Sequence, residues 1–249
     1  MRFDDRELHQ SQQGFFTDAA GVMATLNGED VDVENAVDLP GGFNLGLSTG
    51  EAMLRRRSVQ RYSGEPIDLS AVATIVRAGG GISAKGQVQH LRGGTTWSHM
   101  RFTPSGGGLH ATELYVAALN VRGLDRGMYR YDPLTDRLLE VASVDMVSAF
   151  MNSFATGDNI VTIDYDKASA VLVFIGRPWR LMRKYGARGV RHLFIEAGQI
   201  SQNAHLAATA LGVGSIDCSS VYDDEAHLAL EIDGIYTMLV HTMVLGDPA

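Results

Sequence analysis

The sequence predicts an α+β layered fold, and three patterns carry that reading. Apolar residues recur at three-and-four spacing from Val190 through Leu193, Phe194, Ala197, Ile200, Ala204, Ala207 and Ala208 to Leu211, the signature of a long helix with a buried face. Ala168 to Ile175 is a nearly unbroken apolar run, as expected of a strand covered on both sides. Residues 127–133 and 137–141 look like two short strands joined by a tight turn. Hydrophobic residues fill 45% of the 249 positions and charged ones 20%, enough apolar surface for one large core and too much for a disordered chain.

Residues 1–50 read as an N-terminal arm lying over a main domain of 51–249, because they hold too few apolar residues for a core of their own. Within the arm, Asp5 to Phe16 suits a short polar helix, Glu29 to Leu39 an extended stretch, and Pro40-Gly41-Gly42 a turn. A short helix at 50–54 leads into a basic stretch. Asp68-Leu69-Ser70 opens a helix over 71–78, which Gly79-Gly80-Gly81 ends. Residues 82–100, polar and glycine-rich with His90, Arg92, Trp97 and His99, read as a mobile loop beside a site. A strand pattern occupies 113–121, and an amphipathic helix 145–155. The long helix spans 187–211, and its apolar residues off the main stripe, such as Ile195, predict that it is enclosed on most sides. Gly212 is placed to stop it with a left-handed cap. Ser215 to Asp224 then suits a polar loop, 225–230 a short helix and 235–245 a closing strand.

Acidic residues outnumber basic ones, 29 to 21, for a net charge of −8, which argues against nucleic acid as a partner. The one dense basic cluster, Arg55-Arg56-Arg57 with Arg61, is too short for a duplex footprint and about right for one phosphate. The single Cys218 forms no internal disulfide, and neither a signal-peptide core nor a membrane-spanning apolar run is present, so the expectation is a cytoplasmic protein away from membranes. His110, His192, His205 and His241 are scattered among apolar neighbours without metal-ligand spacing, so no metal is expected and they read as structural.

Three segments carry chemistry. Lys184-Tyr185 precedes the long helix; a lysine beside an apolar core loses affinity for its proton through desolvation, which fits it for general-base work, although a solvated lysine is the plainer alternative. Arg56, Ser58 and Gln60 alternate as they would on an extended segment facing one oxyanion, or else form a solvated basic turn. Pro104-Ser105-Gly106-Gly107-Gly108 lets backbone press against a flat ligand or a phosphate, or serves as a flexible turn.

Together with Gly127 to Pro133, and with Glu196-Ala197-Gly198-Gln199 through Gly212-Val213-Gly214, these segments stand in an order that resembles the FMN-dependent nitroreductase superfamily, specifically its SagB-type dehydrogenase branch. The resemblance covers roughly residues 51–249. It implies a nitroreductase-like fold with a central, mostly antiparallel sheet flanked by helices, in an intertwined homodimer with FMN sites built from both protomers. Arg56 and Ser58 would hold the flavin phosphate and ribityl chain. Gln60 stands where the superfamily usually has Arg or Lys, which leaves Arg57 or Arg61 to supply that charge. Pro104, Ser105, Gly106 and Gly107 would lie along the partner's flavin, with Gly214, Ser219 and Ser220 near the reactive edge of the ring. Ser219 replaces a usual glycine.

The branch is known for oxidising thiazoline and oxazoline rings of ribosomal or non-ribosomal peptides to thiazoles and oxazoles. The resemblance therefore implies Lys184 as base at the ring Cα–H, Tyr185 as its helper, and flavin N5 as hydride acceptor. The implied partners are an azoline-bearing peptide and a cyclodehydratase or carrier protein. Two rivals stay open: a general NAD(P)H-dependent nitro or quinone reductase, and a flavin-free scaffold subunit of a peptide-modifying complex.

Overall fold

The computed structural model describes residues 35–89, 94–142, 144–155 and 163–249. The helix expected at Asp5 to Phe16, most of the extended stretch from Glu29, and the expectations for His90 and Arg92 lie outside those residues.

The centre is a seven-stranded sheet of β1 (Ala36–Asp38), β5 (Thr112–Ala118), β7 (Gly127–Asp132), β8 (Arg137–Ala142), β9 (Ala170–Gly176), β10 (Gly214–Cys218) and β11 (Met238–Gly246), in the spatial order β1-β8-β7-β5-β9-β11-β10. Every neighbouring pair in it is antiparallel. Strand β9 sits between β5 and β11 and is buried at all seven positions, which explains its unbroken apolar sequence. Its residues alternate between two cores. Ala170, Leu172 and Phe174 face one, with Val72, Ile75 and Val76 of α2 (Leu69–Gly80) and Ala197, Ile200 and Ala204 of α5 (Gly189–Ala210). Val171, Val173 and Ile175 face the other, with Val147 and Phe150 of α3 (Val144–Asn152). The remaining helices are α1 (Thr49–Arg55), α4 (Pro178–Tyr185) and α6 (Asp223–Ala229). Two small ribbons stand apart from the main sheet: β2 (Ile67–Asp68) with β6 (Val121–Arg122), and β3 (Ile82–Gln89) with β4 (Thr95–Arg101).

Several expectations are corrected. The stretch 82–100 is a hairpin in its described parts, not a loop; small and polar residues hid two strands whose described side chains are exposed or half-buried. Gly79 and Gly80 continue α2 rather than end it. A methyl on Gly79 would lie 3.0 Å from Ile200 and 3.1 Å from Leu114, so the glycine serves close packing of α2 on α5 and β5. The polar loop expected from Ser215 begins instead as edge strand β10, whose polar Ser215 and Asp217 are engaged by histidines. The strand expected through Val121 stops at Ala118. Within the single chain, helix α5 leaves Phe194 and Ile195 50% and 56% exposed. It does stop where expected, at a Gly212 with φ of +74°.

Candidate functional site

Lys184 and Tyr185 lie in the last turn of α4, a helix the sequence reading did not find because Arg and Trp fill much of it. A tight 3-10 turn over Gly186–Arg188 then reverses the chain into α5. The glycine segment forms a second 3-10 turn, Gly106–Gly108, between β4 and β5. These two turns meet. Gly107 has φ of +66°, and a methyl on it would come within 2.5 Å of both the Lys184 Nζ and the Tyr185 hydroxyl oxygen. Any side chain there would displace the amine and the hydroxyl and strain a left-handed backbone, so glycine suits both. A methyl on Gly106 would press on His192 of α5, whose ring centroid is 4.7 Å from that of Tyr185. The Lys184 amine is 5.5 Å from the Tyr185 ring centroid. Partial burial lowers the lysine's pKa and raises the tyrosine's, so the uncharged form of each is favoured.

Behind the turn is a buried ionic cluster. Arg180 reaches Glu113 Oε1 at 2.7 Å and Arg177 reaches Oε2 at 3.1 Å. Burial alone would raise the pKa of Glu113, but these two guanidinium groups hold it below the ordinary value. His110 is pushed down to about 3 by burial and by Arg101 and Arg180, so it stays neutral. Glu196, 2% exposed, accepts a hydrogen bond from the Thr112 N–H at 2.8 Å. The sequence reading missed this cluster. Its signal was a glutamate on the buried stripe of α5, between Leu193 and Ala197.

The phosphate-type candidates occupy a different place. Ser58 bridges Ser215 of β10, the Val59 N–H donates to the Ser215 carbonyl at 3.1 Å, and Gly214 packs on Val59. A further bridge, Tyr62 to Pro248, keeps Gln60 and Arg61 on an extended path. Arg57 donates to the carbonyls of Leu54 and Arg56, and Arg61 pairs with Asp164 at 2.7 Å. No such bond from the Arg56 side chain is found among the described residues. Ser219 is exposed just past β10, and the Ser220 carbonyl accepts from the Ala155 N–H. Beside this patch, Asp217 accepts from His241 Nε2 at 2.7 Å, Ser201 Oγ at 2.7 Å and His205 Nε2 at 3.0 Å, while His205 Nδ1 meets Ser215 Oγ at 2.7 Å. Against the burial that would raise it, these partners hold the Asp217 pKa well below the carboxylate range.

The two patches do not meet within one chain. His192 marks the glycine-turn patch and His205 the Ser58–Ser215 patch; they stand thirteen positions apart on α5, about 20 Å along the helix. Among the described residues no group of three His, Cys, Asp or Glu side chains is arranged for a metal, and no helix is long and apolar enough to cross a membrane.

An antiparallel sheet between helical layers, with a lysine and a tyrosine set on a glycine turn, defines a nitroreductase-like α+β fold. A family model described as the Nitroreductase family matches residues 53–246, and the chain belongs to that family, a family of oxidoreductases. A candidate nitroreductase of Methanocaldococcus jannaschii is 29% identical over 182 residues, covering 73% of this chain and 83% of its own. The E. coli microcin synthetase McbBCD complex with truncated pro-MccB17 bound contains a chain of similar fold, with a TM-score of 0.65 and 21% identity over 92% of this chain and 82% of that one. A nitroreductase-like protein from Desulfovibrio desulfuricans in complex with FMN aligns with a TM-score of 0.52 and 17% identity, over 81% and 86% of the two chains.

Proposed function

We propose that this chain is an FMN-dependent dehydrogenase that turns thiazoline or oxazoline rings of a peptide into thiazoles or oxazoles. The observation that carries the reading is the convergence of the Lys184 amine and the Tyr185 hydroxyl on Gly107. A nitro or quinone reductase needs no base for a substrate C–H bond, whereas azoline oxidation removes one proton and one hydride from adjacent ring atoms. When bound, FMN supplies the two-electron acceptor.

The residues present fit that cofactor. Gly107 is exposed, and a side chain there would fill the space under the amine that a flat ring system needs. Arg56 and Ser58 hold the phosphate and ribityl end. Arg57 and Arg61 already serve chain partners, so Arg56 carries the charge that Gln60 lacks. Pro104, Ser105 and Gly106 line the ring side, and Gly214, Ser219 and Ser220 approach its edge. Because the two patches lie about 20 Å apart on one chain, a second copy completes each site, and the exposed Phe194 and Ile195 of α5 supply apolar surface for that homodimer. Lys184, whose pKa partial burial lowers, accepts the ring Cα proton, and Tyr185 orients the ring. The McbBCD neighbour, a synthetase complex with truncated pro-MccB17 bound, favours a peptide-modifying role, and a cyclodehydratase or carrier protein is the partner that such a substrate would need.

The test is mass spectrometry of a model azoline peptide incubated with the FMN-loaded protein, with loss of two hydrogens expected. Rapid bleaching of the flavin by NADPH with no change in the peptide would replace this reading with a general reductase. Absence of flavin absorbance after reconstitution would leave a scaffold subunit.

A further inference from the structure

Three buried side-chain polar atoms lack a hydrogen-bond partner among the described residues: Thr112 Oγ1, Arg180 Nε and Glu196 Oε2. Thr112 and Glu196 touch each other, and Arg180 enters the same ionic cluster through Glu113. Glu196 is the informative member. It occupies a position on α5 where Leu193, Ala197 and Ile200 are its buried neighbours, and a leucine or methionine there would avoid the cost of burying a carboxylate.

What the carboxylate does is visible in its contacts. Oε1 takes the N–H of Thr112, the first residue of β5, and Ser105 and Arg101 are its other neighbours. The Ser105 hydroxyl oxygen accepts from the His110 N–H at 2.9 Å, and the same hydroxyl neighbours the Glu196 carboxyl group. A single side chain thus holds the Thr112 end of the loop by a hydrogen bond and faces Ser105 at the other end. Within that loop Gly107, Gly108 and His110 have φ of +66°, +68° and +46°. Backbone of this kind persists only where its surroundings over-determine it, and for His110 it is strained.

We propose that Glu196 is a positioning residue, which by holding Thr112 and facing Ser105 sets the Gly106–Gly108 turn against the Lys184 amine and the Tyr185 hydroxyl. The proposal rests on the reading of Lys184 as the base, and goes beyond it in naming what holds the lysine's surroundings. The charged group set against Glu196 is Arg101 on β4, and around that guanidinium stand Arg180, Tyr131, Glu113 and His110, with Arg177 beyond them on Glu113. Beside Lys184 stands Tyr185 and, across that ring, His192.

The test reads the Lys184 amine without needing turnover. Full-length wild type, Glu196→Ala and Glu196→Gln are acetylated with acetic anhydride across a pH series, and modification of each lysine is quantified by mass spectrometry. The chain has two further lysines, Lys85 and Lys167, both exposed, which serve as internal controls. Loss of the grip lets water reach the amine, so in Glu196→Ala the Lys184 midpoint should rise by about one pH unit, about tenfold less neutral amine at a given pH. The glutamine variant keeps an oxygen for the Thr112 N–H and should move less. Lys85 and Lys167 should not move. An unchanged Lys184 midpoint in a folded alanine variant overturns the proposal. Should that variant fail to fold, Ser105→Ala, which removes the hydroxyl that Glu196 faces, must raise the midpoint or the proposal falls. A shifted midpoint with no azoline oxidation in wild type would sink the function reading and leave the positioning role standing.

Discussion

The two ends of α5 carry opposite kinds of surface. At its start, Lys184, Tyr185 and His192 surround a bare glycine, and partial burial works against charge on the lysine and tyrosine. Toward its end, Asp217 is saturated by two histidines and a serine, and the neighbouring Ser58 and Ser215 are stitched backbone to backbone. The first surface is half-buried and open at Gly107. The second is rich in hydrogen bonds. The difference separates proton handling from holding: a group that must gain and lose a proton is kept partly desolvated at an open turn, while a platform for a fixed ligand is tied down.

The strongest way to break this contrast is Lys184→Ala. The variant should keep bound flavin yet lose about a hundred- to ten-thousand-fold in azoline oxidation, the usual contribution of a positioned base. In wild type, activity should rise with pH and level off below the ordinary lysine value, because the lowered pKa frees the amine earlier. Full turnover in the alanine variant would detach lysine from the chemistry.

Arg56→Ala probes the other end. Losing one charge-assisted phosphate contact should weaken FMN retention about ten- to a hundredfold, measured by fluorescence titration, with Arg61→Ala changing it much less because Arg61 is engaged with Asp164. Equal losses in both would mean that the phosphate charge is shared.

Gly107→Ala sharpens the first end. It forces a side chain into a left-handed backbone at a cost of about 1 kcal/mol and displaces the lysine and tyrosine, so about a tenfold fall in activity should accompany a small drop in Tm. Asp217→Asn should affect stability and spare chemistry. Its folded-state pKa lies below the unfolded value, so its contribution is fully present above about pH 4 and fades as pH falls. After discounting for a side chain 48% exposed, the loss should be about 1 kcal/mol at neutral pH and shrink in acid, read by chemical denaturation at both pH values. The smallest effect is that of Arg61→Ala on stability, which should be near zero because the arginine side chain is 63% exposed.

What was legible in the chain follows from which interactions are local. The strands at 127–132 and 137–142, the buried run of β9 and the stop at Gly212 are written in short-range pattern, and the structure has them close to where the residues suggested. Strand β10 and the β3–β4 hairpin were not legible, since their polar residues are explained only by partners far along the chain or by exposure on both faces. Helix α4 was hidden for a related reason: Pro178, Arg180 and Leu181 are buried, but the arginine is buried against Glu113, 67 residues away by the numbering. The pairing of Lys184 with Gly107 is equally non-local, and no spacing rule predicts it. The glutamate within the α5 stripe, like Ser201 and His205 further along it, was a local sign that something polar had to be met inside.

The two margins of the main sheet are finished differently. One is the three-residue strand β1, and the other, β10, carries Ser58 and Val59 along it. An uncovered sheet margin invites another chain to add a strand and begin fibre growth. The stretch that presents Arg56 and Ser58 therefore doubles as a guard against self-association, and any redesign that frees it to accept a bulkier ligand would trade solubility for reach.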